Sequence, residues 1–312
     1  MEKKEIPDAE LREFLKTLAP DGLFPFILNQ ARYRGVFLSG AALVNQMRAN
    51  HGLGPLETLA LGQACLAAGL LSSLLKEAGK YSLTVECGGP IQGYTAEADN
   101  QGHIRGRLFA NPIPLTGAGA LEGLGLNGLF GPGFLSLRRF NWAAGEDGRP
   151  AEPWTGRIML EQGSLAKDLA LYFYRSEQTP TAVILDLCFD REGRARGAGG
   201  LLLQPLPGGG ENGALEDRLR ELPPLGEAVS RRVWGTGGLD FLAAPFKDFG
   251  LVPLPPRPAE FFCDCSRPRF LAFLRALAAE KDPSLKEGPF PLKITCQNCG
   301  TDYFFEKADL PD

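Results

Sequence analysis

Four of the seven cysteines in this 312-residue chain lie in two close pairs near the C-terminal end. Cys263 and Cys265 are separated by one residue, Cys296 and Cys299 by two, and thirty residues lie between the pairs. Four thiolates of this kind are typical ligands of a tetrahedral zinc ion, with Zn–S bonds of about 2.3 Å. The spacing therefore predicts a site for one zinc ion per chain. These four residues are called the cysteine cluster below.

The cysteine cluster allows two uses of the metal. The commoner use is structural, because a bound ion can hold a small unit in its fold. The other is redox sensing: only Asp264 separates Cys263 from Cys265, and oxidation would replace two ligands by a strained, reducible disulfide. Zinc keeps the thiols deprotonated and hence nucleophilic toward an oxidant. The residues alone leave both uses open.

The remaining cysteines, Cys65, Cys87 and Cys188, receive no functional role. Cys65 lies in an apolar helical segment and the other two end strand-like runs, so each is interpreted as a small buried hydrophobe. Residues 1–5 are charged after the first methionine and no apolar signal segment follows, so we expect a cytoplasmic protein with reduced thiols.

The elements that must position the cysteines have an α+β pattern. Apolar residues at helical spacing predict helices at residues 8–19, 37–51, 56–78 and 164–176. Alternating patterns predict strands at residues 81–87, 91–98, 103–109, 134–140, 157–161, 181–189 and 195–204. Helices beside neighbouring antiparallel strands, without strict strand-helix alternation, indicate an N-terminal core of antiparallel sheet with helices.

Composition divides the chain into three units. Residues 1–204 form the α+β core, which is followed at 205–258 by a partly helical linker rich in proline and glycine. Within the linker we predict helices at 214–222 and 226–234 and a stiff, proline-rich connector at 251–258. Residues 259–312 form a small zinc-binding unit with a helix at 268–280 and strands on either side of Cys296 and Cys299. A unit this small depends on its metal to stay folded.

Charge and hydropathy argue against nucleic-acid and membrane partners. The net charge is −4 and no run of five or six basic residues occurs, so the electrostatic pattern of a nucleic-acid binder is missing. Residues 59–75 carry no charge, but they contain several polar and glycine residues and fall short of the ~20 residues that cross a bilayer. This segment is therefore predicted to be a buried core helix.

Signals for an enzyme are weak. The glycines at 123–128 fit a dinucleotide-binding spacing, but no suitable strand precedes them and no helix can follow, so we expect a turn and no cofactor-binding site. Neither His51 nor His103 has an acid-base partner nearby in the sequence, and both are expected at surface or capping positions. No catalytic residue is assigned.

The motifs resemble, in order, those of the redox-regulated heat-shock chaperone family often called the 33 kDa chaperonin. Residues 262–267 (Phe-Cys-Asp-Cys-Ser-Arg) and 296–300 (Cys-Gln-Asn-Cys-Gly) are similar to the two halves of that family's zinc site. Residues 172–181 and 198–204 resemble its core motifs, as does the helical segment at 60–76. The resemblance spans nearly the whole chain.

This resemblance implies a holdase with an α/β core, a metastable linker and a zinc-binding redox-switch domain, inactive while reduced and zinc-bound. Oxidation would pair Cys263 with Cys265 and Cys296 with Cys299, release zinc and unfold the linker. The apolar surface thus exposed would bind unfolding client proteins, and a homodimer would accompany activation, as in a stress response to oxidants. An order-to-disorder step of this kind is a known type of switch.

Two alternatives remain open at the level of sequence. Pro268 stands where family members commonly have an acidic residue, and the linker is unusually rich in proline and glycine. These departures would suit a constitutive binding protein whose zinc is only structural. The other alternative is a thiol-disulfide oxidoreductase that uses Cys296 and Cys299, although this pair does not open a helix after a strand.

Overall fold

The computed structural model describes residues 1–114, 126–142, 152–209, 213–231, 239–280, 285 and 287–310, with the side chains of 279 and 280 left aside. Within these residues the chain is an α+β protein with eight helices, two six-stranded sheets and a separate two-stranded hairpin. The predicted fold class is therefore confirmed.

The helices and strands follow one another as the patterns broadly predict. The helices are α1 (Ala9–Lys16), α2 (Ala41–His51), α3 (Pro55–Ser72), α4 (Leu165–Ser176), α5 (Gly213–Arg220), α6 (Leu225–Ser230), α7 (Asp240–Ala243) and α8 (Arg267–Glu280). The strands are β1 (Gly22–Leu28), β2 (Tyr33–Ser39), β3 (Gly79–Cys87), β4 (Gly93–Asp99), β5 (His103–Leu108), β6 (Gly133–Asn141), β7 (Trp154–Met159), β8 (Ala182–Phe189), β9 (Ala195–Pro205), β10 (Leu251–Pro253), β11 (Arg257–Pro258), β12 (Glu260–Phe261), β13 (Leu292–Thr295) and β14 (Asp302–Phe305).

The strands form two sheets with different membership. Sheet A has the order β10-β1-β2-β9-β8, and β11 also pairs with β1. Sheet B has the order β12-β5-β4-β3-β6-β7. Among the described strands every pair is antiparallel except β12 with β5, which is parallel. The last stretch before the first cysteine pair is thus a strand of the core.

Helix α3 is the centre of the core, because it packs against both sheets. It is the one described helix long and apolar enough to cross a membrane, but 89% of it is buried inside the protein. A Cβ added at Gly69 would lie 2.5 Å from Leu38 of sheet A and 2.8 Å from Ile104 of sheet B, so glycine allows the close approach. The predicted core helix is confirmed, although it ends at Ser72 and not at 78.

The described part of the linker packs against sheet A. Helices α5, α6 and α7 contribute to a second apolar cluster with the face of sheet A that points away from α3. The buried members of this cluster include Phe26, Phe37, Leu201 and Leu203 of the sheet and Leu225, Val229, Leu242 and Phe246 of the linker.

The connector predicted at 251–258 is wrong, because this segment forms two short strands. Both β10 and β11 pair with the outer edge of β1, with Pro253 opposite Phe26 and Pro258 opposite Gly22. A sheet edge tolerates proline because the missing N–H is not needed for a further ladder. The proline content therefore suits an edge strand as well as a spacer.

The early part of sheet A departs most from the sequence pattern. Residues 37–39, predicted as the start of a helix, belong to β2, and α2 begins only at Ala41. Strand β1 lies where the pattern predicts no element. Strands with both faces covered read as continuous apolar runs, which periodicity cannot distinguish from buried helix. Of the glycine motif at 123–128, residues 123–125 lie outside the described residues, as do residues 232–234 of the second predicted linker helix.

Candidate metal centre

Two local structures position the cysteines. Cys263 and Cys265 lie between β12 and α8, while Cys296 and Cys299 lie in the turn between β13 and β14. In that turn the Cys296 carbonyl accepts the N–H of Cys299 at 3.3 Å and of Gly300 at 2.8 Å. Gly300 has a φ of 65°, and a Cβ there would lie 2.3 Å from the backbone oxygen of Asn50. We call residues 296–301 the knuckle.

The structure brings the four predicted residues together. Their Sγ atoms all lie within 4.8 Å of one another. The Cys265 and Cys299 sulfurs are 3.4 Å apart, and those of Cys263 and Cys296 are 3.9 Å apart. Ligand sulfurs on a tetrahedral zinc would be about 3.8 Å apart for bonds of about 2.3 Å. The donor set therefore fits a metal ion, and sulfur ligands in this arrangement suit zinc.

Burial and mutual charge explain why the cluster favours a cation. Cys263, Cys296 and Cys299 are buried and Cys265 is half-buried. Hydrogen bonds from the thiols of Cys296 and Cys299 hold the pKa of Cys263 far below its usual range. The same hydrogen bond with Cys263 raises the pKa of Cys296 to about 11, and Cys263 likewise raises the pKa of Cys299. Ionising all four thiols at once therefore requires a compensating positive ion.

Arg105 of β5 connects sheet B to the cluster. Its Nη1 lies 3.4 Å from the Cys263 sulfur and also donates to the Asp264 carboxylate. On its other side, Nη2 and Nε donate to Glu97 Oε2 at 2.8 and 3.0 Å. Burial disfavours the charged guanidinium, but these bonds to Glu97 and the neighbouring Cys263 keep its pKa above the usual range. A fixed positive charge thus lies beside one cysteine.

Asn50, at the end of α2, attaches the knuckle to the core. Its buried side-chain amide donates to the Cys299 carbonyl at 3.0 Å and to the Glu2 carbonyl at 2.8 Å. Its oxygen accepts from Gln46 Nε2 at 2.7 Å and from the Lys4 N–H at 3.2 Å. All four hydrogen-bonding positions of the amide are used. The sequence gives no signal for this role.

Two hydroxyls border the sulfurs. The Tyr303 hydroxyl lies 3.1 Å from Cys265 Sγ and donates to the Cys265 carbonyl at 3.0 Å. The Thr301 hydroxyl lies 3.2 Å from Cys299 Sγ. Hydrogen-bond partners of this kind orient metal ligands and adjust their basicity.

Both histidines have hydrogen-bond partners, but only that of His103 is a carboxylate, so the expectation of no acid-base partner is wrong for His103 alone. His51 Nε2 lies 3.3 Å from the Asn298 carbonyl of the knuckle, and burial lowers the pKa of this ring. His103 Nδ1 lies 3.0 Å from Asp99 Oδ2, and its ring packs on Phe262 with centroids 4.4 Å apart. Both side chains therefore lie where the core meets the cysteine unit.

The three other cysteines lie outside the cluster. Cys65 is buried within α3, and burial raises its pKa to about 12. Burial also raises the pKa of Cys87 and of Cys188. Thiols that stay protonated are poor nucleophiles and poor ligands.

Fold and site together define an α+β protein in which a cluster of four thiols that could hold a metal ion is attached to a two-sheet core. The sequence profile of the Hsp33 protein family matches residues 21–306. The chain therefore belongs to the Hsp33 family.

Curated relatives and a solved structure agree with this membership. The 33 kDa chaperonin of Geobacter sulfurreducens is 31% identical over 299 residues, covering 95% of this chain and 95% of the relative. That of Thermus thermophilus is 34% identical over 283 residues, covering 86% of this chain and 79% of the relative. The crystal structure of the Thermotoga maritima 33 kDa chaperonin is similar with a TM-score of 0.78 at 25% identity, covering 93% and 96% of the two chains.

Proposed function

We propose that this protein is a redox-regulated chaperone, a holdase that binds unfolding proteins after oxidation and prevents their aggregation. One observation carries the proposal. Cys263, Cys296 and Cys299 belong both to the metal centre and to the main apolar cluster of the core, together with Phe261. A chemical change at these sulfurs must therefore disturb packing. The name 33 kDa chaperonin, borne by the relatives, supports the chaperone assignment.

In the resting form all four cysteines of the cluster would hold one zinc ion, which supplies the charge that keeps the thiols ionised and ties the two halves of the site together. Arg105 adds a positive charge beside Cys263, and the Tyr303 hydroxyl orients Cys265. No catalytic side chain is required, because the protein would bind clients without converting them.

Activation would comprise two oxidations. The thiolates of Cys263 and Cys265 together give up two electrons as their sulfurs join, and one peroxide molecule takes up these electrons and two protons from solvent as its O–O bond breaks, giving two waters. Cys296 and Cys299 react in the same way with a second peroxide. This pairing is the one implied by the family resemblance. Once the sulfurs are paired, the cluster has no thiolates left to hold the ion.

The change at the cluster would spread to the linker. Cys263 lies two residues after β12, and β11, β10 and α7 precede it in the chain. We propose a core of residues 1–204, a linker of 205–258 and a redox switch of 259–312. Release of the linker helices would expose the face of sheet A that carries Phe26 and Phe37. Unfolding clients would bind this apolar surface in the cytoplasm, and a homodimer of active chains would form.

The geometry disfavours one of the two alternative functions and is compatible with the other. Cys296 and Cys299 lie in a turn between two strands and not at a helix N-terminus, so the geometry does not favour a thiol-disulfide oxidoreductase. Pro268 lies in the first turn of α8, where proline is tolerated. A constitutive binder with a structural zinc remains the second candidate, because the site alone would look the same.

An aggregation assay on one preparation separates these functions. A chemically unfolded client is diluted into reduced protein, into peroxide-treated protein, and into treated protein that has been reduced again with zinc present. We expect suppression only in the oxidised sample and its reversal on reduction. Equal suppression in all three samples would support the constitutive binder, and none in any sample would contradict a chaperone. Insulin reduction by the wild type and its absence in Cys296→Ser would instead indicate an oxidoreductase.

A further inference from the structure

In sheet B, the side of β5 that faces away from β4 is covered by a short segment of the chain itself, strand β12. Strand β12 lies parallel to β5, with Glu260 opposite His103 and Phe261 opposite Ile104. The Glu260 N–H donates to the Gly102 carbonyl, and the Phe262 N–H donates to the Ile104 carbonyl, both at 2.9 Å. Only these two residue pairs hold the strand, so its backbone contacts are few.

Phe261 is the anchor of β12. Its side chain is 1% exposed and packs in the main apolar cluster, with its ring edge-on to His51 at 6.0 Å. The neighbouring Glu260 is exposed. Backbone hydrogen bonds combined with an apolar side chain in a pocket are the features by which an extended peptide adds to a sheet edge.

The metal centre is attached to the same strand, β5. Strand β5 continues to Leu108, beyond the end of β12. Arg105 of this strand contacts the Cys263 sulfur and donates to the Asp264 carboxylate. The cysteine unit is thus attached to β5 directly beside β12, so its release would remove contacts that hold β12 in place.

The edge of β1 in sheet A is less suited to a new strand. It is covered by β10 and β11, but it contains Pro25, whose missing N–H interrupts the ladder. Proline on an edge is a common device against pairing with other chains. Strand β5 has no proline, and its alternate residues Ile104, Gly106 and Leu108 direct main-chain groups toward the edge.

We propose that β12 occupies a client-binding site, and that on activation an extended segment of an unfolding protein replaces it along β5. The inference rests on the proposed chaperone function and specifies its ligand: an unfolded backbone that carries a large apolar side chain to fill the place of Phe261. Strand β12 is then an internal competitor, displaced when the adjacent cluster loses its metal. Unfolded chains offer many such segments, so we expect binding to depend little on client sequence.

Hydrogen exchange followed by mass spectrometry tests this directly. The peptide spanning residues 103–108 is compared in reduced protein, in oxidised protein, and in oxidised protein bound to guanidine-unfolded luciferase. We expect the edge-facing amides to be protected in the reduced protein, to exchange in the oxidised protein, and to be protected again in the luciferase complex. The peptide spanning β7, whose outer edge pairs with no other described strand, is the internal control and should not change.

A variant pair tests the anchor. Phe261→Ala should raise exchange in β5 of the reduced, zinc-loaded protein and give several-fold more aggregation suppression before oxidation. Phe273→Ala removes an equally large side chain that is 61% exposed in the same unit, and it should change neither.

Two outcomes would overturn the inference. If oxidised wild type suppresses aggregation while the β5 amides exchange freely in the luciferase complex, clients bind elsewhere and the chaperone function stands without this site. If oxidised protein suppresses nothing, the proposed function fails and this inference fails with it.

Discussion

Arg105, a residue of the core, lies beside the cysteine cluster although it is far from the cysteines in the sequence. Its guanidinium is fixed by Glu97 on one side and faces the Cys263 sulfur on the other. Four thiolates around one dication carry a net negative charge, so a neighbouring arginine lowers the cost of assembling them. The arginine therefore links occupancy of the cluster to docking on sheet B.

Arg105→Gln should weaken zinc binding about 10-fold to 100-fold, the effect typical of a lost outer partner of a metal ligand. The measurement is competition with a chromophoric chelator under reducing conditions. Arg107→Gln is the matched control, since Arg107 lies on the same strand but contacts Phe109 and not the cluster. Equal affinities in the two variants would show that Arg105 does not support the site.

At the residue scale the sequence predicts the candidate ligands but not the core residues that contact them. The cysteine spacing is a local signal, and all four sulfurs lie together as expected. Arg105 is 158 positions from Cys263, and Asn50 is 249 positions from Cys299, so no pattern within a window could connect them. Such partners are set by the tertiary fold, which brings β5 and the end of α2 to the cysteine unit.

The linker helices are the elements whose packing would hold the protein inactive. Phe246, three residues after the end of α7, is fully buried and stacks on Phe26 of sheet A with ring centroids 6.3 Å apart. It belongs to the second apolar cluster, which joins the linker to the sheet. Weakening this cluster should expose the sheet without any change at the cysteines.

Phe246→Ala should lower the free energy of unfolding by about 3–5 kcal/mol, as for other buried aromatic side chains, because the cavity left behind cannot fully close. The linker should then open in reduced protein, giving aggregation suppression while one zinc per chain is retained. Leu254→Ala, at a 40% exposed position of the same linker, is the control and should behave like wild type. If linker amides of Phe246→Ala exchange rapidly and the reduced protein stays inactive, the linker does not mask the binding surface.

At the element scale, prediction succeeds where periodicity is clear and fails where pairing is distant. The meander of β3, β4 and β5, the helix α4 and the hairpin of β8 and β9 follow the sequence pattern. Strands β1 and β2 do not, because both faces of sheet A are covered. The two-residue strand β12 has no signal of its own, since only its pairing with β5 defines it.

At the scale of the whole molecule, the C-terminal residues bury little apolar surface of their own beside a large core. The separate apolar cluster of the C-terminal unit has only three buried members among the described residues, Leu274, Phe305 and Leu310. Units with so little apolar burial need a metal or a partner surface to remain folded. The metal and the docking by Arg105 and Asn50 would supply both.

Removing the metal with a strong chelator under reducing conditions should therefore unfold this unit and spare the core. We expect amides of β13 and β14 to exchange rapidly while those of β3 and β4 stay protected, because most members of the two larger apolar clusters lie in the sheets and in α3, outside the C-terminal unit. Re-addition of zinc should restore the protection. Persistent protection of β13 and β14 without metal would show that the unit folds independently of it.

In the proposed switch, oxidation of the cluster, loss of its metal and exposure of a binding surface are one event. A peroxide titration of the zinc-loaded protein measures it, with free thiols, released zinc and suppression of client aggregation followed in the same samples. We expect suppression to rise in proportion to zinc release, reaching one zinc and four thiols lost per chain, and we expect Cys188→Ser to behave identically apart from its own missing thiol. Full zinc release without suppression, or suppression complete before any zinc is released, would contradict it.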